Sequence, residues 1–251
     1  MAEAAKVAIV TGGSRGIGRA AALKLGAAGY TVVVNYTSNA AAAEEVVKTI
    51  AAAGGRAVAV KGDVAKEADV LSLFAAADKL GPLHVLVNNA GVMDQQNRLD
   101  EMSAERIRRI LDINTFGSIL CAREAVRRMS TRHGGRGGAI VNMSSAAAYH
   151  GAPGLGVEYG ASKGAIDVLT IGLGREVAAE GVRVNALRPG IIDTEIHDSS
   201  GIPGRVKMMR DAIPMKREGT AEEVADAIMW LCSDKSSYVT GSIIPVAGGR
   251  C

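Results

Sequence analysis

A short apolar run followed directly by a cluster of glycines restricts the fold more than any other stretch. Val7-Ala8-Ile9-Val10-Thr11 has the composition of a buried parallel strand, and Gly12-Gly13-Ser14-Arg15-Gly16-Ile17-Gly18 follows it. Apolar residues at helical spacing then continue from Ala20 to Leu25. Glycine backbone and a helix N-terminus together suit a phosphate group, so the stretch predicts a phosphate-binding unit. A mere tight connection is the alternative, because the glycine spacing departs from the plain Gly-x-Gly-x-x-Gly pattern.

The residues at the end of the second predicted strand indicate which dinucleotide would be bound. Thr31–Tyr36 is that strand, and it completes a βαβ unit. In dinucleotide-binding folds an acidic residue near this point holds the ribose of NAD, whereas a basic neighbour accommodates the extra phosphate of NADP. Asn35, Tyr36, Thr37 and Ser38 include no carboxylate, and Arg15 can reach the same place. We therefore expect NADP in preference to NAD; the alternative is that Arg15 only covers the surface of the turn.

The rest of the chain alternates predicted strands and helices without a linker, a repeat or a break in composition, which predicts a single domain over residues 1–251. Two strand ends carry polar residues where ligands bind in open α/β sheets. One is Asn88-Asn89-Ala90-Gly91, and the other is Asp63, which could bond an adenine or cap the next helix. The later strands are expected at 139–145, 182–187 and 241–246, and the later helices at 102–129 and 221–231.

Tyr159 and Lys163 lie four residues apart in a predicted helix and so share one face. A nearby ammonium favours the phenolate, and lowering the pKa of a tyrosine by ~3 units from about 10 takes ~4 kcal/mol. The pair could then act as an acid or base near neutral pH. An exposed helix pair without any catalytic role is the alternative for these two residues alone.

Three motifs, in this order, resemble those of the short-chain dehydrogenase/reductase family. They are Thr11-Gly12 to Gly18, Asn88-Asn89-Ala90-Gly91 and Tyr159-x-x-x-Lys163. The resemblance extends from Lys6 to Gly249. Within the family, the chain resembles bacterial members similar to 3-oxoacyl carrier-protein reductases and glucose dehydrogenases. It implies a doubly wound α/β Rossmann domain with a seven-stranded parallel sheet and helices on both faces. It also implies hydride transfer between NADP(H) and a carbonyl or secondary alcohol, and a homotetramer. Apolar residues on several faces of the helix after Lys163 likewise favour oligomerisation.

The resemblance also implies roles for individual residues. Tyr159 would be the general acid/base, Lys163 would lower its pKa and hold the nicotinamide ribose, and Asn114 would support a proton relay or, alternatively, only bend its helix. Ser145 would bond the reacting oxygen; strand alternation points its neighbour Ser144 away. The expected cofactor contacts are Gly12, Ser14, Arg15, Gly16, Ile17, Gly18, Asn35, Tyr36, Thr37, Asp63, Val64, Asn89, Ala90, Gly91, Tyr159, Lys163, Pro189, Gly190, Ile192 and Thr194.

Two loops should decide the substrate. The segment 193–210 is the expected substrate loop, with plausible hinges at Ser199-Ser200-Gly201 and Pro203-Gly204. His197, Met208 and Met209 are possible substrate contacts or simply packing residues. The loop over 146–158 is a residue or so longer than the family's usual interval. A non-catalytic dinucleotide sensor or scaffold of the same fold is the alternative function.

The overall composition excludes several other classes of protein. A net charge of +3 gives no field for nucleic acid, and the clusters Arg106-Ile107-Arg108-Arg109 and Arg127-Arg128 are interpreted as solvated helix faces. The three cysteines and four histidines are isolated from one another, so we expect reduced thiols and no metal site. The sequence has no apolar signal segment and no run long enough to cross a bilayer, so we expect a cytoplasmic protein.

Overall fold

The computed structural model describes residues 6–154, 156–196 and 204–250. In these ranges seven parallel strands form one sheet in the order β3-β2-β1-β4-β5-β6-β7, which confirms the predicted fold class. The order reverses between β1 and β4, and a crevice at such a switch point is where open α/β sheets bind ligands. The strands are β1 Val7–Val10, β2 Thr31–Tyr36, β3 Arg56–Lys61, β4 Leu83–Asn88, β5 Gly138–Met143, β6 Val182–Pro189 and β7 Ile243–Val246.

Helices cover both faces of the sheet and bury two separate apolar clusters against it. The helices are α1 Gly16–Ala27, α2 Ala40–Ala52, α3 Glu67–Asp78, α4 Ala104–Leu111, α5 Gly117–Met129, α6 Ala147–His150, α7 Val157–Glu176, α8 Arg205–Met208 and α9 Ala221–Cys232. One cluster joins the sheet to α1, α2 and α9, and the other joins it to α3 and α5. None of the helices within the described ranges combines the length and the apolar character that a membrane span requires.

The long helix expected over 102–129 is interrupted in the structure. It begins at Ala104, because the Ser103 side chain accepts a hydrogen bond from the backbone N–H of Arg106 and so caps it. A π-helical segment, Asp112–Phe116, separates α4 from α5 and contains Asn114. Single π turns of this kind insert one extra residue into an α-helix and often occur at functional sites. The sequence pattern could not show this interruption, since apolar spacing continues across it.

The two loops expected to bind substrate differ in how much of them the structure describes. The 146–158 loop contains the short helix α6 and, at its end, the first turn of α7. In the 193–210 loop, α8 is described, and Met208 is exposed. His197, Ser199-Ser200-Gly201 and Pro203 lie outside the described residues, so their expected roles stay predictions.

A chain of buried polar side chains ties the carboxyl ends of β4 and β5 to α7. Asn88 Nδ2 donates to Asn142 Oδ1 at 3.0 Å, and Asn142 Nδ2 donates to Thr170 Oγ1 at 2.9 Å. Asn88 Nδ2 also donates to the carbonyl oxygen of Ser118 on α5 at 3.0 Å. Buried amides cost free energy unless they are hydrogen-bonded, so this chain specifies one alignment of the two strand ends with α7.

We expect Asn142→Ala to lower the free energy of unfolding by about 1–3 kcal/mol, because it leaves a buried donor of Asn88 without its acceptor. Urea unfolding monitored by circular dichroism measures the loss. The double variant with Asn88→Ala should lose less than the sum of the two single variants, because the second substitution removes the orphaned donor. A loss below about 0.5 kcal/mol for Asn142→Ala would show that the network contributes little.

Candidate active site

One cavity at the carboxyl edge of the sheet brings together residues from distant parts of the sequence. Ser145 follows β5, Tyr159 and Lys163 lie in the first two turns of α7, and all three line this cavity. The other expected site residues that line it are Ile17, Asn89, Gly91, Pro189, Gly190, Ile192 and Thr194. The structure therefore places three of the four expected catalytic residues beside several of the expected cofactor contacts.

Lys163 is a buried cation at the base of this cavity. Its Nζ donates to the carbonyl oxygen of Met143, the last residue of β5, at 2.8 Å, and lies 5.7 Å from the centroid of the Tyr159 ring. Burial lowers the pKa of the Lys163 ammonium to about 8, and the Asp167 carboxylate one turn along α7 opposes the shift. At neutral pH the group therefore stays protonated in a site with little water to screen its charge.

The adjacent serines after β5 have different partners. The Ser144 hydroxyl is buried and donates to the carbonyl oxygen of Lys163 at 3.2 Å, which fixes it to the backbone of α7. Ser145 is half-buried, and its Oγ accepts from the backbone N–H of Ala147 at 3.1 Å. This acceptor bond leaves the Ser145 hydroxyl hydrogen for another partner, so Ser145 stays the predicted catalytic serine.

Asn114 joins the segment after β4 to α7. Its Oδ1 accepts from the Val92 N–H at 2.8 Å, and its Nδ2 donates to the Val92 carbonyl at 3.0 Å and to Ser162 Oγ at 3.2 Å. A Cβ placed on Gly91 would lie 3.4 Å from both Asn114 Oδ1 and Lys163 Nζ. Asn114 is thus close to the lysine across Gly91, while its side chain is committed to structural bonds. Its part in a proton relay stays a prediction.

The glycine turn brings backbone close to the crevice between β1 and β4. Gly12 and Gly16 have φ of +60° and +50°, a region that disfavours side chains. A Cβ on Gly18 would lie 2.3 Å from the Gly12 carbonyl oxygen and 2.5 Å from Asn89 Nδ2. Asn89 Nδ2 donates to the carbonyl oxygens of Thr11 and Gly12 at 2.9 and 3.0 Å, so it holds the turn in place. These features fit a pyrophosphate bound by backbone amides at the N-terminus of α1.

The side chain of Asn35 supports the same turn from the end of β2. It is 1% exposed, accepts from the Gly12 N–H at 3.3 Å and donates to the Gly62 carbonyl at 3.0 Å. Because this carboxamide is buried, the ribose of a bound cofactor would contact the residues around Asn35 and not its side chain. Tyr36 is half-buried there, and Thr37 and Arg15 are exposed.

Asp63 does not cap the helix that follows β3. Its Oδ1 accepts from the Ala65 N–H at 3.0 Å in a tight turn, and α3 begins only at Glu67 with Lys66 in the capping position. The capping alternative was therefore wrong, because residues 64–66 separate Asp63 from the first residue of the helix. The adenine contacts expected of Asp63 and of its buried neighbour Val64 stay predictions.

Sequence reasoning missed several residues that line the cavity. Asp94 and Glu158 each form an ion pair with an arginine of α4, at 2.5 Å to Arg109 and 2.7 Å to Arg106. The interpretation of this arginine cluster as a solvated helix face was wrong for Arg106, whose side chain is only 13% exposed. The other missed residues include Met93, His150, Ala152 and Arg250. Of these residues, only Glu158 could have been inferred from the sequence, because it is adjacent to Tyr159. The others reach the cavity only through the tertiary fold.

Within the described ranges no three His, Cys, Asp or Glu side chains come close enough together to hold a metal ion. The buried cysteines are also separate: Cys121 lies on α5 and Cys232 at the end of α9. Burial raises the pKa of both thiols to about 12, so both stay protonated at neutral pH.

Comparisons with known proteins agree with this geometry. Residues 12–250 match a family model described as enoyl-(acyl carrier protein) reductase. The uncharacterized oxidoreductase YgfF of Escherichia coli (strain K12) is 56% identical over 97% of this chain and 99% of that protein. Glucose 1-dehydrogenase 2 of Bacillus subtilis (strain 168) is 41% identical over 97% of this chain and 94% of that protein.

A solved structure shows the same fold. The 3-ketoacyl-(acyl-carrier-protein) reductase from Brucella melitensis, complexed with NADH, superposes with a TM-score of 0.90 at 34% identity, over 98% of each chain. The matching family model, the identities over almost the whole chain and the shared sheet lead to one conclusion. The chain belongs to the short-chain dehydrogenase/reductase family, oxidoreductases that act on alcohol and carbonyl groups with a nicotinamide dinucleotide.

Proposed function

We propose that this protein is an NADP(H)-dependent oxidoreductase that interconverts a carbonyl and a secondary alcohol, with Tyr159 as general acid and base. The observation that carries the proposal is the buried Lys163 ammonium 5.7 Å from the Tyr159 ring centroid, on a cavity that Ser145 also lines. A buried cation beside a phenol is a costly arrangement, and it is useful where a proton must move near neutral pH.

In this mechanism a bound nicotinamide supplies the hydride for reduction and accepts it for oxidation. Tyr159 donates its phenolic proton to the carbonyl oxygen as negative charge develops there. Ser145 donates a hydrogen bond to the same oxygen and stabilises the developing alkoxide. In the oxidative direction Tyr159 accepts the proton back from the alcohol.

Lys163 makes this proton transfer possible at neutral pH. Its charge stabilises the phenolate that Tyr159 becomes, and its ammonium has donors left for nicotinamide ribose hydroxyls besides its bond to Met143. Asn114, close to Lys163 across Gly91, would help resupply the proton from solvent. The glycine turn and the residues Pro189, Gly190, Ile192 and Thr194 would hold the two ends of the cofactor.

The preference for NADP rests on the charge at the end of β2. No carboxylate follows Asn35 there, and Arg15, the residue before α1, is exposed in the glycine turn. A guanidinium binds a phosphate monoester through paired hydrogen bonds, whereas a carboxylate at this place would repel it. The Brucella relative was solved with NADH, so the proposed preference for NADP rests on these residues and not on the shared fold.

We also propose a cytoplasmic homotetramer. Large apolar side chains are exposed on α5, on the π-helical segment and on α7, and examples are Ile119, Phe116 and Val168 at 41%, 47% and 71%. In a tetramer a second subunit would bury such side chains. A non-catalytic sensor of the same fold is disfavoured, since dinucleotide binding alone would not require the buried Lys163 beside Tyr159.

Replacing Tyr159 with Phe should lower kcat by about 10²–10⁴-fold, because it removes the general acid without emptying the site. NADPH binding, followed by fluorescence titration, should change by less than about twofold, about 0.4 kcal/mol. Tyr238→Phe is the matched control, because Tyr238 is fully exposed and distant in sequence from the site. Substantial turnover by Tyr159→Phe would remove Tyr159 from the catalytic role.

Wild-type kcat/KM should be at least about tenfold higher with NADPH than with NADH, and Arg15→Ala should remove most of that difference. The loss should fall on NADPH alone, because NADH has no phosphate for the guanidinium to bind. Arg19→Ala, also exposed but one turn further along α1, controls for the loss of a surface charge. A wild-type preference for NADH would contradict the proposed cofactor.

The stability of wild type relative to Lys163→Met should increase with pH. Burial lowers the pKa of Lys163 from 10.5 to about 8, so between these values the unfolded chain retains a proton that the folded protein has released. Unfolding free energy rises with pH in that window, and the gain over the variant approaches roughly 3 kcal/mol. Urea unfolding of both proteins at pH 7.5 and 9.5 measures the difference. A difference that does not change with pH would show that Lys163 is not buried as a cation.

A further inference from the structure

The segment after β7 forms a tight turn that carries Arg250 to the wall of the active-site cavity. The Arg250 N–H donates to the Ala247 carbonyl oxygen at 3.1 Å, and the Met215 N–H donates to that of Gly248 at 3.1 Å. Gly248 and Gly249 have φ of +59° and +87°, a conformation that favours glycine. These bonds and this backbone make the position of Arg250 a property of the fold.

The turn also packs against the residues that line the site. A Cβ on Gly190 would lie 2.8 Å from Ala247 Cα, and a Cβ on Gly249 would lie 3.1 Å from Pro214. The Gly190 N–H donates to the carbonyl oxygen of Val246, the last residue of β7, at 3.0 Å. Because Gly190 and Arg250 line the same cavity, this close packing connects the arginine to the reaction site.

Among the described residues, no carboxylate on the cavity wall is left to balance the charge of Arg250. The two carboxylates there, Asp94 and Glu158, are each neutralised by an arginine of α4. Of the lining cations, Lys163 is buried and donates to the Met143 carbonyl oxygen, and the nearby Asp167 is itself paired with Arg188. No ion pair joins the Arg250 guanidinium to any carboxylate of the described residues.

His150, at the end of α6, lies close enough to Arg250 to feel its charge. Partial burial and the positive charge of Arg250 both lower the pKa of His150, which keeps the imidazole neutral near pH 7. Its Nδ1 accepts from the Ala152 N–H at 3.4 Å, so the ring hydrogen lies on Nε2. Besides the Lys163 ammonium, the cavity wall therefore has the positive charge of Arg250 with a neutral donor beside it.

We propose that the substrate carries a carboxylate, which Arg250 binds with His150 as a second donor, while the carbonyl of the same molecule reacts at Tyr159 and Ser145. The inference rests on the proposed function and names its substrate class: short oxo acids and the corresponding hydroxy acids. A planar guanidinium pairs with a carboxylate through two hydrogen bonds. A single positive charge balances one negative charge, which favours a carboxylate over a dianionic phosphate.

The test uses 2-, 3-, 4- and 5-oxo acids and their methyl esters, each reduced with NADPH. For at least one acid, wild-type kcat/KM should exceed that of its ester by about tenfold or more. Arg250→Gln should lose about tenfold on that acid while ester reduction changes by less than about twofold, and Arg250→Lys should lie between them. Arg136→Gln is the matched control, because Arg136 is exposed at the opposite end of β5.

The inference would be overturned if the wild type reduced every oxo acid and its ester at equal rates. It would also be overturned if the wild type reduced other carbonyl compounds but no oxo acid. An Arg250→Gln variant that weakens NADPH binding and slows acids and esters alike would also overturn it, since the arginine would then serve the cofactor. Stronger selection for hydroxyacetone phosphate than for any oxo acid would assign the arginine to a phosphate.

A binding measurement separates this inference from the proposed function. Tyr159→Phe loaded with NADPH should bind the preferred acid about tenfold more tightly than its ester in calorimetry, and Arg250→Gln should abolish that difference. If Tyr159→Phe still reduces substrate, Tyr159 is not the general acid, while the selection of carboxylates by Arg250 can stand. If the acid and its ester bind equally, the selection fails while Tyr159 keeps its role.

Discussion

The hydrogen bond from Lys163 Nζ to the Met143 carbonyl oxygen is the contact on which the site depends. It joins a buried cation on α7 to the last residue of β5, at 2.8 Å. The cost of burying this charge is reduced by Asp167, one turn along the helix, which is itself paired with Arg188 of β6 at 2.7 Å. The Lys163 charge beside Tyr159 is therefore held by neighbouring strands as well as by its own helix.

Carboxamides at the strand ends align the rest of the site with that contact. Asn35 and Asn89 bond the glycine turn, Asn114 bonds the segment after β4, and Asn142 bonds α7. Each has a donor and an acceptor on one short side chain, so a single residue can satisfy backbone groups from two elements. The crevice therefore has a defined shape while its surface is largely glycine backbone, which a bound phosphate can approach closely.

The parts of this structure that follow from local pattern were predictable, and the parts that depend on contacts between distant residues were not. Buried strands and the glycine turn have short-range signatures, so β1, β2 and α1 were located to within a few residues. The π-helical segment has none, and the bonds of its Asn114 join it to Val92, 22 residues away. The bonds of Asn35 and the ion pair of Arg106 with Glu158 likewise exist only after the elements have packed.

The arginines of α4 determine which charges are left on the cavity wall. Arg106 and Arg109 lie on one face of that helix, three residues apart, and neutralise the two carboxylates of the cavity wall. With those charges paired, the remaining positive charges on the wall are those of Lys163, beside Tyr159, and of Arg250, on a separate turn after β7. If Arg250 binds the substrate as proposed, a change there would alter which carbonyl compounds bind without disturbing the proposed proton chemistry. Selectivity would then depend on a side chain that lies on a different element from Ser145, Tyr159 and Lys163.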